Sequence, residues 1–95
     1  MNNLHVSYDL NRPGQNYEAV IKAIKSLGAA VPVHKSFWFV KSSLSAEQAA
    51  QRVWASMDAS DTVYVVDASS NQAAWYNINP TVAKFIRDYW MRKAA

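Results

Sequence analysis

Residues 4–10 read Leu-His-Val-Ser-Tyr-Asp-Leu, with apolar residues at positions 4, 6, 8 and 10 and polar residues between them. Successive side chains of a β-strand point to opposite faces, so this alternation predicts a strand with one buried face. Asp9 ends the polar series, and we expect its carboxylate to be exposed at the end of the strand.

The following segments alternate between helical and strand-like patterns. Apolar residues at helical spacing predict helices over residues 17–27 and 46–57. Residues 30–42 are strand-like, and a bend near residues 34–36 would divide them into two strands. Residues 62–66 are rich in β-branched side chains and predict a further, central strand.

This order predicts an α+β fold. Strand, helix, strand, strand, helix, strand is the βαββαβ order of ferredoxin-like domains, which have an antiparallel sheet. Residues 73–78 predict a short fifth strand, and Asn79 followed by Pro80 is typical of a helix start. We therefore expect one ferredoxin-like domain over residues 1–78, with a basic amphipathic helix over residues 79–95 packed on the same domain.

Composition excludes several classes of protein. The chain has 95 residues, enough for one domain, and no cysteine, so disulfides, thiolate zinc sites and cysteine nucleophiles are excluded. No apolar run approaches 18 residues, and the first residues do not have the pattern of a signal peptide. We expect no membrane partner and a cytoplasmic location.

The positive charge is concentrated at the end of the chain. The segment from Pro80 accounts for the whole net charge of +3, because four basic residues there face one acidic residue, Asp88. A basic tail favours a nucleic-acid or an acidic protein partner. The alternative is a solvated helix face whose cations are favourable near the helix C-terminus. The four basic residues are Lys84, Arg87, Arg92 and Lys93.

A ferredoxin-like arrangement would leave one face of the sheet open. The two helices should cover the apolar face of the first strand, so Asp9 would lie on the open face. A symmetric dimer would use that face and bring two copies of Asp9 near one axis. Trp38 and Phe39 are neighbours on a strand, so one of their rings should point to the open face, where it could stack on bases or anchor a protein.

Three short motifs resemble a known family. They are Val-Ser-Tyr-Asp-Leu at residues 6–10, Lys-Ser-Phe-Trp-Phe at residues 35–39, and Ser-Asp-Thr-Val-Tyr-Val-Val at residues 60–66. In order and spacing, residues 4–78 resemble the small CRISPR-associated endoribonuclease-like family, the ferredoxin-like partners of the CRISPR integrase, and the related virulence-associated protein D.

This resemblance implies a homodimer joined through its sheets, in which the aspartates of the first strands face each other and share a Mg²⁺ ion. Some members cut RNA or double-stranded DNA, and others are purely structural. Asp9 would be that aspartate, as metal ligand and catalytic residue. The chain departs from the family at Phe39, which stands where an acidic residue is frequent, and after Asp9, where a basic run is reduced to Arg12.

Two hypotheses follow. The first is a homodimeric nucleic-acid-associated protein, either a magnesium-dependent nuclease that uses Asp9 or a non-catalytic derivative of one. Its candidate nucleic-acid or partner contacts are Arg12, Lys35, Trp38 and the four basic residues of the last helix. The second is a non-enzymatic protein-interaction module, such as a structural dimer, an inhibitor or an antitoxin-like subunit, that uses the open face. For Asp9 the alternative role is local, as acceptor of a backbone N–H from Asn11 or Arg12 in a turn.

Overall fold

A computed structural model describes residues 1–11 and 17–90. Three of the candidate contact residues, Arg12, Arg92 and Lys93, lie outside these ranges. The described elements are, in chain order, β1 (Asn2–Asp9), α1 (Tyr17–Lys25), β2 (Ala29–His34), β3 (Phe37–Ser42), α2 (Ala46–Trp54), β4 (Thr62–Asp67), β5 (Gln72–Tyr76) and α3 (Pro80–Tyr89).

The strands form one sheet in the order β2-β3-β1-β4-β5, and every neighbouring pair is antiparallel. β1 and β2, which α1 connects, therefore run in the same direction with β3 between them. β3 and β4, which α2 connects, enclose β1 in the same way. The predicted α+β class, the antiparallel sheet and the short fifth strand are confirmed.

The core lies between the sheet and helices α1 and α2. Leu4, Val6 and Tyr8 of β1 are buried, as the alternation predicted, and they belong to one cluster with Ile24 of α1 and Val53 of α2. Burying a side chain of this size contributes roughly 1.5–3 kcal/mol each, so this face supplies much of the driving force for folding. The opposite face of the sheet is left uncovered by α1 and α2.

Side-chain hydrogen bonds cap the first turns of both α2 and α3. Ser45 and Gln48 form a reciprocal capping box at the start of α2, because each side chain bonds the other residue's backbone N–H. Asn79 Oδ1 accepts the Thr81 N–H at the start of α3, and Pro80 occupies the first helical position.

The hairpin between β2 and β3 turns on two residues, Lys35 and Ser36. Ser36 adopts a left-handed backbone conformation with φ of 66°, and its carbonyl accepts the Tyr8 N–H at 3.1 Å. The predicted bend near residues 34–36 is therefore confirmed. Its hydrogen bond to Tyr8 holds the start of β3 beside β1.

The connection from α1 to β2 depends on a close backbone approach. A Cβ atom at Gly28 would lie 2.1 Å from the backbone carbonyl oxygen of Lys41, so only glycine fits there. The buried Ser42 hydroxyl donates to the Leu27 carbonyl at 2.6 Å. These contacts join the end of α1 to the far end of β3.

A buried carboxylate joins the end of β1 to the start of β4. Asp61 is 0% exposed, and its two oxygens accept the N–H groups of Asn11 at 3.1 Å and Asp58 at 2.8 Å. Of the two donors that the sequence hypothesis gave to Asp9, Asn11 is therefore wrong, and Arg12 lies outside the described residues. The Asn11 N–H goes to Asp61, because the pairing of β1 with β4 brings residue 61 to the end of β1.

Helix α3 leaves most of its apolar stripe in solvent. Val82, Phe85 and Tyr89 are 49%, 62% and 70% exposed. Two contacts join this region to β5 and the turn before it. The indole N–H of Trp90, directly after α3, donates to Asn71 Oδ1 at 2.9 Å, and the Arg87 guanidinium lies over the ring of Trp75 in β5.

We expect Asp61→Ala to lower the free energy of unfolding by about 2–4 kcal/mol, because two backbone N–H groups lose a buried, charged acceptor. Urea denaturation monitored by tryptophan fluorescence measures this change. Asp9→Ala is the matched control and should shift stability by less than about 0.5 kcal/mol, because Asp9 is exposed. Equal losses in the two variants would contradict the structural role of Asp61.

Candidate functional site

The candidate site is the face of the sheet opposite α1 and α2, which we call the open face. Residues paired across neighbouring strands share a face, so the strand register defines two rows that each cross all five strands. The first row is Val31, Phe39, His5, Val66 and Ala73, and the second is His34, Phe37, Ser7, Tyr64 and Trp75.

Four rings lie together on the β1, β3 and β2 part of the open face. The His5 ring centroid is 5.9 Å from that of Phe37 and 6.2 Å from that of Phe39, both edge-to-face. The His34 ring packs at 5.0 Å against Phe37 in the same geometry. Both phenylalanines are only half-buried, so apolar ring surface remains in contact with solvent.

A second pair of rings lies on the β4 and β5 part of the open face. Tyr64 and Trp75 stack with centroids 5.9 Å apart. The guanidinium of Arg87, on α3, lies 5.9 Å from the Trp75 ring centroid, within the range of a cation–π interaction. Burial raises the pKa of the Tyr64 phenol above its ordinary value. A groove between α3 and β5, lined in part by Arg87 and Trp90, continues this region outward.

The edges of the open face are mainly basic. The Lys41 ammonium donates to Asn3 Oδ1 at 2.7 Å, which places it on this face beside the first row. Lys35 is exposed in the turn next to Phe37, and Arg87 lies at the β5 side. Asp9, at the end of β1, adds one carboxylate. Among the described residues of these edges, the three cations named here therefore outnumber it.

The structure separates the residues that the sequence analysis had grouped as partner contacts. Lys35 and Arg87 border the open face. Lys84 lies on α3, where it forms an exposed ion pair with Asp88 at 2.6 Å, of the kind that contributes about 0.3–0.5 kcal/mol.

The prediction of Trp38 as a contact residue is wrong. Trp38 is 6% exposed and faces the core, because its register position alternates with those of Phe37 and Phe39. The Lys25 ammonium covers its outer side, 6.0 Å from the ring centroid. The ring that points to the open face is therefore Phe39.

Asp9 is exposed and pairs with Thr62 at the end of β1. Among the described residues, no three His, Cys, Asp or Glu side chains group into a set that could hold a metal ion. The neighbouring carboxylate of Asp61, directly before β4, is buried, and both of its oxygens accept backbone N–H groups. A single chain thus offers Mg²⁺ one exposed carboxylate here, at the lower limit of what protein magnesium sites use. The described residues of one chain do not complete a magnesium site, and the second carboxylate that the resemblance implies would come from another copy of Asp9.

The sequence analysis missed Phe37, Tyr64 and Trp75 as residues of the site. A signal was present in the segment from Lys35 to Val40, where a basic residue and a turn residue precede two aromatic residues at alternate positions. That order matches part of a pattern found on sheets that bind RNA, with departures at Ser36, Trp38 and Ser42. Tyr64 and Trp75 carry no such signal, because only strand pairing brings them to the same face.

No protein family, curated protein or solved structure matches the chain. Within the described ranges, every helix falls short of the length and apolar content that a membrane span requires.

The raised pKa of Tyr64 predicts a specific alkaline response. The unfolded chain ionises this phenol at lower pH than the folded chain does. Its stabilising contribution is therefore complete below about pH 10 and is lost as pH rises through the folded pKa. We expect Tyr64→Phe to lose less free energy of unfolding than the parent between about pH 9 and pH 11.

Urea denaturation at each pH measures the response. Tyr17→Phe, which alters an exposed tyrosine of α1, is the control and should behave as the parent does. If Tyr64→Phe also follows the parent, the phenol does not contribute to the alkaline loss.

Proposed function

We propose that the protein is a small ferredoxin-like, nucleic-acid-associated protein that binds its partner with the open face. The observation that supports this most directly is the combination of solvent-accessible rings with cations at the edges of the same face. Aromatic side chains on a rigid sheet bind base faces, and lysine and arginine at its edge bind phosphates.

The strand order supports the ferredoxin-like assignment. Each of the two βαβ units encloses one antiparallel strand, as in the split βαβ arrangement. β5 extends the sheet beyond β4, and α3 follows as an addition. The order also accords with the resemblance to CRISPR-associated endoribonuclease-like proteins, which was inferred from motifs in β1, β3 and β4.

The charge distribution supports an anionic partner. The chain has a net charge of +3, and Lys35, Lys41 and Arg87 border the open face. Each phosphate that a cation contacts releases condensed counterions, so binding should weaken steeply as salt is added.

The same surface supports binding more than catalysis. Among the described residues, Asp9 is the exposed carboxylate at the end of β1. Phe39, which stands where an acidic residue is frequent in the resembling family, packs against His5 on the open face. We therefore propose a non-catalytic derivative of a nuclease-like ancestor.

A second candidate is a protein-interaction module, with a second copy of the chain as the simplest partner. It is favoured by Val31 and Val33 of β2, which are 55% and 61% exposed at the edge of the sheet. A symmetric dimer joined through the open faces would bury Val31 together with Phe39, and would compete with nucleic acid for the same surface.

Substituting the edge cations tests the first candidate. We expect Lys41→Gln and Arg87→Gln each to weaken binding to an RNA oligonucleotide and to reduce the slope of log affinity against log salt by about 0.7–1. Fluorescence anisotropy over a salt series measures both. Lys22→Gln is the control, because Lys22 is exposed on α1 behind the opposite face of the sheet. Equal effects of all three substitutions would argue for diffuse charge attraction rather than a binding face.

Sedimentation velocity tests the second candidate. A stable dimer that Phe39→Lys dissociates, in a protein without salt-dependent nucleic-acid binding, would replace the first candidate by the second.

Mg²⁺ addition tests the nuclease hypothesis. We expect the parent and Asp9→Asn to leave labelled RNA and duplex DNA equally intact with millimolar Mg²⁺, because one chain does not complete a metal site. Gel electrophoresis of the products measures this. Cleavage by the parent that disappears in Asp9→Asn, with the fold retained, would instead establish Asp9 as a catalytic residue.

A further inference from the structure

We propose that the open face is a stacking platform specific for single-stranded nucleic acid, with bases seated on Phe37 and Phe39. This inference rests on the proposed function and names the class of nucleic acid that the face accepts. It follows from the arrangement of the rings, from the space beside them and from the charges at the edges.

The strand register determines the spacing of the two central rings. Phe39 lies opposite His5, and Phe37 lies opposite Ser7. Two residues along a strand span roughly 6.6 Å, so the two phenylalanine rings are offset along β3 by enough for each to receive a different base. The His5 ring is inclined at 61° to both phenylalanine rings, so it does not stack in parallel on either of them.

A small side chain leaves room at the centre of the face. Ser7 lies between Phe37 on one side and Tyr64 on the other in the second row. Neighbouring strands are about 4.8 Å apart, so about 10 Å separates the backbones that hold those two rings. The serine forms the floor of a shallow trough, and its hydroxyl can bond a sugar or a base edge.

The flanking groups extend the platform across the sheet. Tyr64 and Trp75 stack on the β4 and β5 side, where the Arg87 guanidinium lies over the indole. Lys41 stands beside the first row on the other side of β1. A single strand of nucleic acid that lies across the sheet from β3 to β5 would therefore contact aromatic rings along its path and a cation near each end.

The hairpin before β3 supplies an independent observation. Lys35, Phe37, Phe39 and Val40 match the basic, the two aromatic and the valine positions of a pattern found on RNA-binding sheets. Ser36, Trp38 and Ser42 stand where that pattern has glycine, a small residue and a third aromatic residue. Ser36 adopts a positive φ of 66°, a conformation that favours glycine.

These features select single strands over duplexes. Base faces are stacked inside a duplex, so a flat sheet with few cations would contact only its phosphates. Unpaired bases can turn outward and stack on aromatic side chains, and each such contact tolerates any base. Short, unstructured RNA and DNA share this chemistry, and the experiment compares the two.

The experiment measures the affinity of the parent, Phe37→Leu and Phe39→Leu for oligouridylate, oligodeoxyuridylate and a duplex of the same length. Leucine keeps the apolar character of the site and removes the ring. We expect each variant to bind both single strands about fivefold to a hundredfold more weakly than the parent does, and to bind the duplex as the parent does. A stronger effect on oligouridylate would assign a contact to the 2′-hydroxyl, and equal effects would assign stacking alone; both support the proposal.

Phe85→Leu is the matched control. It makes the same substitution at a phenylalanine that is 62% exposed on α3, away from the open face, and it should leave every affinity unchanged. Urea denaturation of the four proteins establishes that the fold is retained. A loss with Phe85→Leu equal to that with Phe37→Leu would overturn the assignment to the open face.

Two further results would overturn the inference in distinguishable ways. If both β3 variants bind single strands as the parent does, and binding still weakens with salt, the stacking platform is wrong and the proposed nucleic-acid association stands. If the parent binds neither single strands nor duplex at low salt, the proposed function fails together with the inference.

Discussion

The central position of β1 is the constraint on which the other features depend. Both edges of this strand are hydrogen-bonded, to β3 on one side and to β4 on the other. The strand period of two residues then assigns Val6 to the core and His5 to the open face. A slip of one residue in the register would exchange the faces and bury His5 and Asp9, so the hydrophobic effect on one face determines the composition of the other.

The carboxylates illustrate how tertiary position divides polar residues between structural and accessible roles. Asp61 is buried and holds the end of β1 through the Asn11 N–H, while Asp67 is buried at the end of β4 and accepts from the Ser69 N–H at 2.9 Å. Asp9 is exposed at the end of the central strand. Asp61 and Asp67 each accept backbone N–H groups, so these donors keep hydrogen-bond partners in the folded protein. Asp9 remains available to solvent or to a ligand.

The open face joins two physical properties that the proposed binding of single-stranded nucleic acid would require. Rings on paired strands lose little further conformational entropy when a base stacks on them, because packing against His5 and Trp75 already restricts their rotamers. The cations at the edges add attraction at longer range. Helix α3 contributes Arg87 to this surface, and its own apolar side chains Phe85 and Tyr89 stack on each other in solvent, with centroids 4.4 Å apart.

Local patterns were sufficient to predict the class of fold, the buried face of β1 and the start of α3, because each depends on residues close in the chain. They did not identify which ring of β3 is exposed, and the candidate contact Trp38 is the buried one of the two neighbours. They also attributed to Asp9 a bond that Asp61 makes. These features depend on which strands pair and in what register, and on contacts between residues about fifty positions apart. The pairing of Tyr64 with Trp75 also depends on strand register, because only the folded sheet brings those side chains together. This pairing forms the β4 and β5 half of the open face.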